Sequence, residues 1–142
     1  MSRIIQGIAA DMGCAYIYDD WGRINLKADK YGNRKEQRLI IETLPTNGQI
    51  DTRFAPIVRT SRTCIVAFLK PCALDFEGAE VGTIVDEMLD LAKQFIARLD
   101  ATGYYEPING LMDYNVVLDF LDANMAGVRV TLSLKELEGE CV

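Results

Sequence analysis

The 142-residue sequence contains no histidine. That removes imidazole metal ligands, Ser-His and Cys-His nucleophile activation, and the side chain most often used as a general base near pH 7. Its four cysteines, Cys14, Cys64, Cys72 and Cys141, have no C-x-x-C spacing, which speaks against a four-cysteine zinc site. Two of them sit in apolar runs, where reduced cysteine packs as a small hydrophobe. The chain has no apolar run of roughly 18 residues and no basic-then-apolar start, so neither a membrane span nor a signal peptide is expected, and synthesis in a cytoplasm is. Gly78-x-x-x-Gly82 lacks the Gly-Lys-Ser/Thr ending of a phosphate loop, and no Gly-x-Gly-x-x-Gly occurs.

What remains is ordinary globular material, 49% apolar and 25% charged. The length predicts a single domain over 1–142 that buries roughly 70% of the surface its unfolded chain exposes, with no metal or disulfide staple required. The net charge of −6 is unevenly placed. Residues 1–70 carry 11 Lys/Arg against 7 Asp/Glu, a balance of +4, and residues 71–142 carry 4 against 14, a balance of −10.

The strongest pattern lies between Ala79 and Ala101. Val81, Ile84, Val85, Met88, Leu89, Ala92, Phe95, Ile96 and Leu99 recur at steps of three and four, which predicts an amphipathic helix over 79–101. Asp86, Asp90, Lys93, Gln94 and Arg98 fall on its other face, and Gly103 suits the position just past its end. Such a helix is roughly 30 Å long and needs a sheet to cover.

The flanking residues read as that sheet. Ser2 caps a short helix over 2–12, in which Ile4, Ile5, Ile8 and Ala9 share a face. Ala15 to Asp19 reads as a strand that turns at Asp20-Trp21-Gly22 into an antiparallel partner containing Ile24, Leu26 and Ala28. A basic loop follows, with Lys30, Arg34, Lys35 and Arg38 around Tyr31-Gly32-Asn33. Arg38 to Leu44 reads as a strand, and 45–57 as a long connection offering a contact arm. Val58 to Leu69 is apolar on both faces and should be central. A closing hairpin is expected over 114–134, with Tyr114, Val116, Leu118 and Phe120 facing the helix and Val117 and Leu121 on the outer face. That outer face needs a cover, from the N-terminal helix or a neighbouring copy. Lys135 to Val142 reads as a loose tail. The fold class expected is α+β, a mainly antiparallel sheet packed against one long amphipathic helix with a short N-terminal helix.

Chemistry is thinly signalled. Asp86, Glu87 and Asp90 place carboxylates at helical spacing, as a divalent cation would want, but nothing else joins them. Asp119 and Asp122 lie at the end of a strand entering an Ala-Asn-Met-Ala-Gly turn, where Asp, Asn and Gly are common turn formers. No catalytic, cofactor-binding or metal-binding residue is assigned. A small enzyme using carboxylates and a metal, or a cytoplasmic binding module of a mobile element, are the alternative readings.

Taken in order, the elements resemble the tail terminator and tail-completion (neck) proteins of tailed bacteriophages. The resemblance rests on Arg62-Thr63-Cys64-Ile65-Val66-Ala67-Phe68-Leu69, the helix of Val81 to Leu99, and Tyr114 to Phe120 with Gly127-Val128-Arg129-Val130-Thr131. It implies a non-enzymatic structural protein of a virion, assembled in a bacterial host's cytoplasm as a ring, for instance a hexamer, at the head-tail junction. Other tail or connector proteins would be its partners, DNA would at most pass through the ring, and no membrane would be involved. The charge asymmetry suits a contact between unlike surfaces. Lys30, Arg34, Lys35, Arg38, Arg59 and Arg62 are the basic candidates for it, and Val117 and Leu121 the apolar ones.

Overall fold

In the computed structural model, residues 2–20, 23–24, 37–72, 78–108, 110–120, 125–137 and 140–141 are described. They form α1 (Ser2–Asp11), β1 (Ala15–Asp19), β2 (Leu39–Thr43), β3 (Asn47–Asp51), β4 (Ile57–Pro71), α2 (Gly78–Ala101), β5 (Tyr114–Phe120), β6 (Met125–Lys135) and β7 (Glu140–Cys141). The sheet runs β1-β2-β4-β6-β5, with β3 and β7 also pairing β4. Every pair is antiparallel except β1 with β2. The protein is thus α+β, a mixed and mainly antiparallel sheet under one long and one short helix. No helix among the described residues is long and apolar enough to cross a membrane.

Central β4 pairs β2 over Val66–Leu69 and β6 over Ser61–Pro71, as its two apolar faces require. Cys64, Val66 and Phe68 join the core beneath the helices, while Ala67 and Leu69 join a second cluster on the opposite face. Ile84, Met88, Leu91, Ala92, Phe95 and Leu99 of α2 are buried against the first face. Phe95 meets Phe68 edge to face, with ring centroids 5.2 Å apart. Gly103 takes φ 73° just beyond α2, the left-handed conformation that ends helices. Gly127 answers a closer constraint: a Cβ there would overlap the Phe68 carbonyl oxygen.

Several expectations are corrected. β1 forms no hairpin with the residues after it; it pairs in parallel with β2, and the intervening residues 20–38 give the length a crossover needs. Ile24 is helical rather than extended. The Asp20 carboxylate accepts the Arg23 N–H at 3.0 Å, and the Ile24 N–H donates to the Asp20 carbonyl at 2.9 Å, so Asp20 caps a helical turn instead of opening a β-turn. Leu26 and Ala28 lie outside the described residues.

The outer face is not covered by α1. Ile5, Ile8, Ala9 and Met12 pack under the sheet beside α2, whereas Ile24 sits in the second cluster with Ile17, Leu39, Ile41 and Met125. The connection over 45–57 contains β3, which pairs Asn47↔Thr63 through Asp51↔Arg59 with the start of β4. It is a hairpin continuous with the sheet, not a free arm. The C-terminal tail is likewise held: the Glu136 N–H donates to Thr60, the Leu137 N–H to Tyr104, and β7 pairs Ile57 and Val58.

Candidate functional site

Three places bring polar or exposed apolar groups together. The first is the β3–β4 hairpin. Gly48 lets the two strands approach so closely that a Cβ would overlap the Ser61 carbonyl oxygen. At the turn, the Asp51 carboxylate accepts the Arg53 backbone N–H at 3.1 Å, Nε at 3.0 Å and Nη2 at 2.8 Å. These hydrogen bonds hold the Asp51 carboxyl well below the usual carboxylate range. Lys135 Nζ stands 3.7 Å from Asp51 and 3.9 Å from Glu106, and Arg59 Nη1 is 3.8 Å from Glu106. The Arg59 Nε atom is buried without a hydrogen-bond partner. Asp51, Arg53, Arg59 and Lys135 line an open groove of about 520 Å³. Beside it, Ile50 is 72% and Phe54 63% exposed, and the Arg53 guanidinium lies 5.7 Å from the Phe54 ring centroid.

The second is β5, the last strand of the sheet. Tyr114 stands opposite Val130 and Val116 opposite Val128. Directly paired residues share a face, so both tyrosine and valine belong to the helix side. Yet Tyr114 is 47%, Val116 50% and Leu118 56% exposed, because α2 packs over β4 and β6 and stops short of β5. This overturns the expectation that Tyr114, Val116 and Leu118 are buried under the helix. The Phe120 side chain lies outside what is described.

The third lies inside. Glu42 is 1% exposed, and the Tyr16 hydroxyl donates to its Oε1 at 2.6 Å. Burial pushes the Glu42 carboxyl up, and the Tyr16 hydrogen bond and the Arg62 charge oppose that rise. The same burial raises the Cys64 thiol to about 12, which keeps it a protonated, unreactive hydrophobe. Above this cluster, Ile4, Arg62, Thr102, Gly103, Tyr104, Tyr105 and Glu136 line a cavity of about 340 Å³. Glu42 itself is sealed from solvent, so its carboxyl acts within the fold.

The residues singled out from sequence fall as follows. Lys30, Arg34, Lys35, Leu121 and Asp122 lie outside the described residues, and of Asp119 only the backbone in β5 is described. Arg38 is engaged internally, its Nη2 donating to the Met12 carbonyl at the end of α1 at 2.6 Å. Arg59 and Arg62 lie on the hairpin strand, towards the groove and the cavity respectively. Val117 is only part-exposed and packs against the second core cluster, so it offers no free outer patch. Asp86 and Asp90 are exposed on α2, while Glu87 accepts a hydrogen bond from Lys70 at 3.0 Å. Among the described residues no group of three or more His, Cys, Asp or Glu side chains is placed to hold a metal ion.

Sequence reasoning missed Ile50 and Phe54. The signal was two large apolar residues isolated in an otherwise polar stretch between Pro45 and Pro56. Comparison with known protein families, curated proteins and solved structures finds no match for this chain.

Proposed function

We propose that this chain is a structural subunit of a tailed bacteriophage or prophage, a tail terminator or neck protein that assembles as a ring where the tail meets the head. The observation that carries the reading is a pair of unlike, exposed apolar surfaces, one on the β3–β4 hairpin and one on β5. Exposed apolar side chains gathered on one element mark contact surfaces, whereas scattered ones do not. Two different surfaces support a head-to-tail contact, which closes into a ring when its rotation divides the circle and otherwise runs on as a filament.

The element order supports the phage assignment: a short helix, a sheet with a long central strand, one long helix and a closing hairpin. In this reading the protein performs no chemistry, and its work is to terminate and join. The test is a reconstruction of the particle from a lysate in which the gene is expressed with its neighbours. Density for this chain in a ring on the tail axis is the expected result. Finding it elsewhere, or joined to copies of itself by a two-fold contact, removes the proposal.

A further inference from the structure

The two exposed surfaces lie at opposite margins of the sheet. β3 sits on the β2 side of β4, while β5 lies beyond β6 on the other side. A single chain therefore cannot bring them together. We infer that they are the two halves of one contact between copies, in which Ile50 and Phe54 of the β3–β4 hairpin seat on Tyr114, Val116 and Leu118 of β5 in the next copy. This rests on the reading of the protein as an assembling subunit and names the surfaces it uses.

Charge selects the second copy as the occupant. Residues 47–62 carry Arg53, Arg59 and Arg62 against Asp51, an excess of positive charge, whereas residues 111–118 carry Asp113 and no Lys or Arg. A basic hairpin and an acidic strip repel their own kind and attract each other, which favours hairpin-to-strip contact over hairpin-to-hairpin or strip-to-strip. The faces also agree. Ile50 stands opposite Thr60, on the same side of β4 as the buried Cys64 and Val66, and Tyr114 and Val116 lie on that side too. Ile50 of the hairpin and Tyr114 and Val116 of the strip thus project from the helix side of the sheet. Among the described residues the outer edge of β5 and that of β3 are unpaired, so backbone groups lie alongside the apolar strip and can add to the contact.

The contact is tested with two full-length variants, Phe54→Asp and Val116→Asp, measured by light scattering and sedimentation up to the solubility limit. Both positions are at least half exposed, and circular dichroism checks that each variant keeps the fold. Should Val116→Asp unfold, Leu118→Asp takes its place. The wild type is expected to form a species of several copies that weakens as salt rises. Each variant alone is expected to lose every species above the monomer. Phe54→Asp retains a working strip and Val116→Asp a working hairpin, so an equimolar mixture is expected to give a dimer and nothing larger. A wild type that stays monomeric, a variant that keeps the wild-type mass, or a mixture that stays monomeric each overturns the contact. The location of the protein in the particle is a separate measurement: its absence from the tail axis would remove the proposed function and leave this contact standing.

Discussion

Phe95→Ala probes the joint between helix and sheet most directly. Phe95 is 0% exposed, at the centre of the α2 stripe, and its ring meets Phe68 of β4 edge to face with planes 65° apart. Truncation removes the transfer energy of the ring and leaves a cavity that α2 cannot close without lifting Met88 and Leu99 from the sheet. Such substitutions cost about 3–5 kcal/mol, of which the ring pair accounts for about 0.5–1.5. In a domain whose total stability is about 5–15 kcal/mol, that is a large fraction, and it corresponds to a fall in Tm of about 10 °C. Urea unfolding is the assay: the midpoint should drop while the slope stays constant, since native compactness is unchanged. Arg98→Ala on the exposed face of the same helix serves as the control and should stay within about 0.5 kcal/mol. A Phe95→Ala loss below about 1 kcal/mol would refute the packing of α2 on β4.

Glu42→Gln keeps the shape of the side chain and an acceptor for Tyr16 while removing a charge. Burial raises the folded Glu42 pKa above its unfolded value, so the native state binds more protons and the ionised carboxylate costs stability as pH rises through that window. The variant should therefore melt higher than wild type at pH 7, with the gain vanishing below about pH 4; a lower Tm at pH 7 would contradict the assignment. Gly127→Ala should cost about 1–3 kcal/mol through the clash with the Phe68 carbonyl. Gly7→Ala, which meets open space on α1, should instead gain about 0.5–1 kcal/mol; comparing the two melting curves checks both.

The elements legible in the sequence are those whose side-chain period decides burial locally. The three-and-four spacing of α2 and the alternation of Val128, Val130, Leu132 and Leu134 in β6 each specify a face without reference to the rest of the chain, and both are found as read. Pairing is not local information. Nothing in Ala15 to Asp19 says that its neighbour is Leu39 to Thr43 rather than the residues after Gly22, and Asp20 is as good a helix cap as a turn former. β3 was invisible because Asn47-Gly48-Gln49 has no apolar alternation; its place in the sheet comes from the backbone groups of β4, which outruns β2 and leaves Ser61 and Thr63 in need of partners. At the candidate site, Arg59 and Arg62 could be named from charge, but Ile50 and Phe54 acquire meaning only once the hairpin puts them in water.

The bareness of β5 follows from a simple comparison of widths. A helix with its side chains is about 10–12 Å across and strands lie about 4.8 Å apart, so one helix covers about two strands. α1 packs beside β1, and α2 covers β4 and β6. In the order β1-β2-β4-β6-β5, the fifth strand is left over. Alternation in Tyr114, Val116 and Leu118 reads as a buried face, yet all three are exposed, because no element among the described residues covers them. Polar residues there would serve the isolated fold at least as well, because an exposed apolar strip beside an open strand edge invites association. The apolar character of the strip therefore makes sense at the level of an assembly: the contact proposed above gives it the third cover that α1 and α2 are too few to supply, the hairpin of the next copy.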